Sequence, residues 1–205
     1  MTGPRLTQWA LDLADPVPAA GRLDSWLNEL DPGAYSSVTL INNAALMPPL
    51  APIDRNESRV LADTIRVGLE APLLLTAVFL RATRSWSAAR RVLNISSGLG
   101  RRPMAGCAPY GAVKAGLDNF SRIVALDEAQ TVNGAKVVAL APGVIDTEMQ
   151  AEMRNADAAD FPERERVAAM KEKGLLDTPK TAADKVLNYL ERADFGAHGL
   201  ADVRE

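Results

Sequence analysis

The sequence predicts an α/β domain, a doubly wound parallel sheet with helices packed on both faces. Short β-rich apolar runs alternate with longer segments of helical periodicity along the chain. Runs such as Val137-Val138-Ala139-Leu140 are apolar on both strand faces, as strands buried between two helical layers are. No linker-like stretch divides the 205 residues, which suffice for one core, so residues 1–205 read as a single domain.

The elements follow in order. Residues 6–13 read as a strand closed by Asp12-Leu13-Ala14-Asp15-Pro16. Over residues 20–30, Leu23, Trp26, Leu27 and Leu30 fall at helical spacing, and Asp31-Pro32-Gly33 stops the helix. Val38-Thr39-Leu40-Ile41 is a strand running into Asn42-Asn43-Ala44. A loop with Pro48, Pro49 and Pro52 precedes a long helix over residues 57–84. Residues 91–96 form the next strand, 110–130 a second long helix, and 135–140 a strand ending at Pro142-Gly143. A charged, Met-bearing helical segment over 147–173, a helix over 181–192 and a short tail complete the chain.

Composition removes several functions. A net charge of −3 gives no basic footprint for nucleic acid and no polybasic membrane anchor. The most apolar stretch, residues 71–80, falls far short of the ~20 residues that span a bilayer. The start lacks a basic head followed by an apolar core, so a cytoplasmic address is expected. One cysteine excludes an intramolecular disulfide framework and a cysteine-based zinc site, one histidine excludes a His-rich metal site, and no metal is expected. Cys107 reads as a small packing residue and His198 as a structural or exposed one. Arg90-Arg91 and Arg101-Arg102 read as solvated charge pairs.

Three residues point to chemistry. Tyr110 and Lys114 are four apart on a helix, so their side chains share one face, a turn apart. Ser97 follows a strand, at the carboxyl edge where open α/β sheets bind ligands. Together they suit proton transfer to or from a carbonyl or alcohol oxygen. A nearby ammonium draws the phenol toward phenolate, and the serine hydroxyl holds the substrate oxygen.

Asn94-Ile95-Ser96-Ser97 followed by Tyr110-Gly111-Ala112-Val113-Lys114 resembles the active-site signature of the short-chain dehydrogenases/reductases. Asn42-Asn43-Ala44 resembles the family's Asn-Asn-Ala-Gly segment, Pro142-Gly143-Val144-Ile145-Asp146-Thr147 its Pro-Gly segment, and Asp12-Leu13 its Asp-hydrophobic pair near the adenine. The segments from Ala141 to Gln150 and Met170 to Gly174, with the ending Ala201-Asp202-Val203-Arg204-Glu205, are similar to the sepiapterin reductase and benzil reductase branch. The resemblance implies a Rossmann-like fold and an oxidoreductase transferring hydride from NAD(P)H to a small-molecule carbonyl, a vicinal dicarbonyl or pterin-like ketone included. The cofactor it implies is NADP, with NAD not excluded.

By the same resemblance Tyr110 protonates the substrate oxygen, Ser97 positions it, and Lys114 holds the nicotinamide ribose. Asp12, Leu13, Asn43, Ala44, Tyr110, Lys114, Pro142, Gly143, Ile145 and Thr147 line the cofactor; Ser97, Tyr110 and Asp202 meet the substrate. Residues 147–173 read either as a lid over the substrate or as a surface amphipathic helix. The stripes over 73–80 and 113–126 are core, and the family pairs the corresponding helices across a dimer interface, which implies a homo-oligomer.

The sequence departs from the family's pattern at three places. Ala45 stands at the glycine of Asn-Asn-Ala-Gly, and Gly68 stands where the family's helical tetrad asparagine is expected. Nothing resembles the Gly-rich turn Thr-Gly-x-x-x-Gly-x-Gly; Thr2-Gly3 has no later glycines at that spacing. The chain therefore reads as N-terminally truncated, beginning just before the family's third strand. Residues 6–13 are then expected to slide across and pair with 38–41. A non-catalytic binding or dimerisation module is the alternative reading, and a start codon placed too far downstream a third.

Overall fold

The computed structural model describes residues 6–205; Met1–Arg5, with Thr2-Gly3, lies outside the described residues. Four strands form one parallel sheet in the order β1-β2-β3-β4: β1 Ser37–Asn42, β2 Ala89–Ile95, β3 Lys136–Ala141 and β4 Leu200–Asp202. Period-two alternation divides the core between its faces. Val92 and Val137 pack with Leu27 of α1 (Pro16–Glu29) and Phe79 of α3 (Ala71–Ala82). Leu93, Val138 and Leu140 pack with Leu190 of α7 (Pro179–Leu190) and with Phe195. The doubly wound arrangement read from the sequence is the one observed.

The expected strand over residues 6–13 is absent. No ladder joins it to β1, whose partner in the sheet is β2. The segment instead turns at Asp12, whose carbonyl and carboxylate accept from the Asp15 and Ala14 N–H groups. Trp9 lies edge-on to Trp26 of α1 at 5.5 Å, with the Arg22 guanidinium 4.7 Å from its ring centre. Leu6 stays 81% exposed. Burial of one indole, together with the turn into Pro16 at the head of α1, decides the local conformation where no strand edge is offered.

The long helix expected over 57–84 is α2 (Ser58–Ile65) and α3 joined by a π-helical turn, Arg66–Glu70. The segment over 147–173 is two helices, α5 (Glu148–Asn155) and α6 (Arg164–Glu172), and the tail carries β4. β4 aligns Ala139 with Leu200, Leu140 with Ala201 and Ala141 with Asp202, so the chain end enters the sheet beside β3. α4 (Ala108–Ala129) crosses the sheet as the second long helix.

Arg90 also departs from expectation. It is 2% exposed and donates to Glu128, Thr83 Oγ1 and the carbonyls of Leu80 and Asn133. Strand alternation puts it on the same face as Val92 and Asn94, under α3 and α4, whereas Arg91 points to the other side. Arg101 is not merely solvated either, since it pairs with the buried Asp118. Among the described residues no helix is long and apolar enough to cross a membrane, and no cluster of three or more acidic, histidine or cysteine side chains is placed to hold a metal.

Candidate active site

The site is built where β2 ends. Ser96 continues the ladder, its N–H donating to Leu140 O at 2.8 Å, and Ser97 stays extended before the short 3-10 turn Gly98–Gly100. The Ser97 hydroxyl accepts from the Leu99 N–H at 3.2 Å, which fixes the turn's direction. The turn then lies directly on α4. A Cβ at Gly100 would stand 2.8 Å from the Lys114 carbonyl carbon and 2.9 Å from its oxygen. Only glycine lets the chain after Ser97 approach so closely, and the sequence reading passed over this position.

α4 begins with Pro109 in its first turn, a residue with no N–H to leave unpaired. Tyr110 is 6% exposed and Lys114 2%, both on the inner face, with Lys114 Nζ 5.5 Å from the tyrosine ring centre. Nζ donates to Ile95 O at 2.7 Å. Burial pushes the Tyr110 phenol above its ordinary value; a hydrogen bond with Ser97 draws it part of the way back, and Cys107 adds to the rise. Burial pulls Lys114 down to about 8, against the opposing influence of Asp118. The trio read from the sequence thus converges on one spot. Burial raises the phenol where a nearby ammonium was expected to lower it, and the hydrogen bond of that ammonium goes to the Ile95 carbonyl.

The other expected cofactor residues lie along the carboxyl edge of the sheet with one exception. Asn43 and Ala44 follow β1 and are exposed, while Asn42 turns inward, donating to Asn94 Oδ1 at 2.7 Å and Thr76 Oγ1 at 3.2 Å. Asn94 passes the bond to Ser121 at 2.8 Å, so a buried polar chain ties β1, β2 and α4 together. Pro142 and Gly143 leave β3, Gly143 with φ +85, a left-handed conformation natural to glycine. Ile145 bridges to Asp177, and Thr147 stands at the head of α5 with its hydroxyl 3.4 Å from the Ile145 carbonyl. Asp12 and Leu13 are the exception. They sit in the turn before α1 rather than at a strand end, and no hydrogen bond among the described residues joins them to the trio.

Asp202 reaches the carboxyl edge on β4, yet its carboxylate is taken by Arg204, which holds it below the ordinary carboxylate range. Cys107 is buried in a cluster with Met153 of α5, Phe161 and Val167 of α6, and burial raises its thiol to about 11. The packing role expected of it fits these surroundings. The same cluster seats α5 and α6 on the body of the protein, so residues 147–173 are more than a surface helix. His198 is exposed.

Gly68 has a packing reason. A Cβ there would stand 2.5 Å from Val113 Cγ1, so the π-helical turn presses onto α4 only without a side chain. Gly68→Ala is expected to cost about 1–3 kcal/mol through this overlap. Val113→Ala in the same chain should return most of that loss, and urea unfolding of the single and double variants checks it.

A doubly wound parallel sheet thus carries a serine, a tyrosine and a lysine together at its carboxyl edge, where α/β folds of this kind bind ligands. Residues 34–158 match the family described as short chain dehydrogenase, and the chain belongs to that family. It is 37% identical over 186 residues to a benzil reductase ((S)-benzoin forming) of Bacillus cereus, a match covering 91% of this chain and 75% of that protein. It is 30% identical over 172 residues to the sepiapterin reductase of Meriones unguiculatus, across 82% of this chain and 64% of that one. A crystal structure from Beutenbergia cavernae, with NADP bound at low occupancy, superposes with a TM-score of 0.76 at 26% identity. That match covers 95% of this chain and 73% of that one.

Proposed function

We propose that this protein is a carbonyl reductase using NAD(P)H, with Ser97, Tyr110 and Lys114 as its catalytic residues. The observation that carries the reading is the buried pair on α4: a phenol raised above its ordinary value one turn from an ammonium whose one hydrogen bond among the described residues is to Ile95 O. An ammonium has three donors, and a buried one needs partners. A ribose diol supplies hydroxyls of the right kind, so the residues present fit the nicotinamide-ribose end of the cofactor. Tyr110, Lys114, Pro142, Gly143, Ile145, Thr147, Asn43 and Ala44 would hold that end; Asp12 and Leu13 belong to its adenine side in this reading.

Bound NAD(P)H supplies the hydride for the carbonyl carbon. The chain's own residues do the rest. Ser97 hydrogen-bonds the carbonyl oxygen and orients it toward the phenol. Tyr110 gives up its proton from Oη as negative charge builds on that oxygen. Lys114 stabilises the phenolate left behind and holds the ribose. α5 and α6, seated through Met153, Phe161 and Val167 on Leu99, Met104 and Cys107 just before Tyr110, would act as the lid.

A vicinal dicarbonyl is the favoured substrate class, on the likeness to the benzil reductase, and a pterin-like ketone the second; Asp202 would meet it once Arg204 swings away. NADP is favoured over NAD on the branch likeness. A homo-oligomer is supported by the half-buried Leu73, Leu80, Phe120 and Val124 along a groove of about 530 Å³ between α3 and α4. A cytoplasmic setting suits the free Cys107. Titration with NADPH, followed by its fluorescence, tests the reading: saturable binding and oxidation on addition of benzil are expected. No binding at millimolar cofactor overturns it.

A further inference from the structure

Lys114 has company inside the protein that its signature does not include. One turn further along α4, the buried Asp118 accepts from Ser96 Oγ through Oδ1 and from Arg101 Nε through Oδ2 at 3.0 Å. Arg101 reaches on to β4, donating through Nη2 to Ala201 O at 3.1 Å and to Ala139 O at 3.5 Å. It also acts on the carboxylate of Asp202, whose ion-pair partner is Arg204. The ion pairs Arg101–Asp118 and Arg204–Asp202, with Lys114 buried on α4 one turn before Asp118, set out a row of alternating charge from the reacting pair to the end of β4. Burying an ammonium is costly unless an opposite charge offsets it, and the Ile95 carbonyl bears none.

From this geometry we infer that Asp118 is a positioning residue for the reaction: clamped by Ser96 and Arg101, it is the counter-charge that keeps Lys114 an ammonium inside the protein, and Arg101 sets how much of that charge Lys114 feels. The inference rests on the reading of Tyr110 and Lys114 as the reacting pair. Asp118 is well suited to the role by elimination of the alternatives around it. On α4 itself Lys114 otherwise faces Tyr110, a protonated phenol, and Cys107 before it is a neutral thiol. β2 contributes a carbonyl and the turn after Ser97 the backbone of Gly100. The π-helical turn meets α4 through Gly68 and Leu69, neither of which titrates. α2, also packed on α4, has its Asp63 paired with its own Arg59 and with Arg66 of the π-helical turn.

Two substitutions separate charge from shape. Asp118→Asn keeps a group that accepts from Arg101 and donates to Ser96, and removes only the negative charge. Arg101→Gln keeps a donor toward Asp118 and removes the positive charge that competes for it. The first is expected to move the Lys114 titration down by about one pH unit, and the second to move it up. A residue that only braces the loop would not move the two in opposite directions.

The full chain labelled with carbon-13 at lysine Cε reads this directly, without cofactor. It has six lysines, of which Lys114 is buried and the others are not, and Lys114→Arg identifies its signal by loss. Opposite shifts in the two variants are the expected result, and with them a matching displacement of the alkaline limb of kcat/KM for carbonyl reduction. An unmoved Lys114 titration, or the same direction in both, overturns the inference even where NADPH binds and turns over. Opposite shifts in a chain that binds no cofactor instead overturn the reductase reading and leave the charge row standing. Arg101→Gln decides the matter alone if Asp118→Asn does not fold.

Discussion

Glu128→Ala is expected to lower the stability of the fold by about 3–5 kcal/mol, the cost of leaving a buried charge without its partner. Glu128 is 4% exposed near the end of α4 and accepts from four donors: two on Arg84 at 2.7 and 3.2 Å, Arg90 Nη1 at 3.1 Å and the Ala135 N–H at 2.8 Å. Arg90 has no exposed side-chain surface, and a guanidinium, unlike an ammonium, cannot shed its charge to adapt. The turn after α4 is shaped around the same point; a Cβ on Gly134 would stand 1.8 Å from the Glu128 carbonyl oxygen. The cluster joins the end of α3, the start of β2, the end of α4 and the start of β3, at the amino edge of the sheet. That is the edge opposite the trio, so the loss falls on stability and not on chemistry.

Acid should reproduce part of this loss. Burial by itself would raise the Glu128 carboxyl, but the Ala135 N–H, Arg84 and Arg90 outweigh it and hold the group below its ordinary value of 4.5. A depressed folded-state value contributes stability above pH 4.5 that disappears as pH falls through the folded-state value. Urea unfolding across that range checks both points. The wild type is expected to lose stability below pH 4.5 more steeply than Glu128→Gln, which keeps the shape without the charge. A Glu128→Ala loss under about 1 kcal/mol, the size of an exposed ion pair, would overturn the account.

What the sequence made legible here is local. β1, β2 and β3 came from β-rich runs, α1 and α4 from apolar spacing, and the trio from a four-residue step on a helix beside a strand end. Each of those signals sits within one element. β4 was missed because Leu200-Ala201-Asp202 is too short to carry a pattern and becomes a strand only by pairing with β3. Residues 6–13 were misread for the converse reason: they have a strand's composition, but a strand exists only where a neighbour completes its ladder.

Arg90 could have been read. Its even step from Val92 and Asn94 put it on the covered face, and a charged residue there demands a partner. Glu128, 38 positions further on, carries no sign of being that partner. The same holds for Asp118 and Arg101, 17 apart in sequence and joined only once the turn after Ser97 lies on α4. Glycines were the usable hint to such closeness. Gly68 was read as a missing asparagine and Gly100 passed over, when both mark backbone approaching another element.

Tyr110→Phe should reduce carbonyl reduction by about 10²–10⁴-fold in kcat, with NADPH binding largely kept. The change removes one oxygen and leaves the ring, which fills the same space on the inner face of α4. Only the proposed proton donor goes. Lys114 keeps its bond to Ile95 O, so the hold on the ribose proposed for it should survive. The split between chemistry and binding is the informative part. A side chain that merely packed would disturb both, or neither.

The pH dependence gives a second check on the same variant. Because burial raises the phenol above its ordinary value, Tyr110 stays protonated through the neutral range and the reduction rate should be level there. It should fall only at alkaline pH, where the phenol ionises and Lys114, titrating near 8, loses its charge. In the phenylalanine variant the part of that fall due to the phenol vanishes, and the residual rate depends on Lys114 alone. Steady-state rates with benzil against pH measure both effects. A Tyr110→Phe protein that turned over at the wild-type rate would remove Tyr110 from the mechanism and move the search for the proton donor to Ser97 or a bound water.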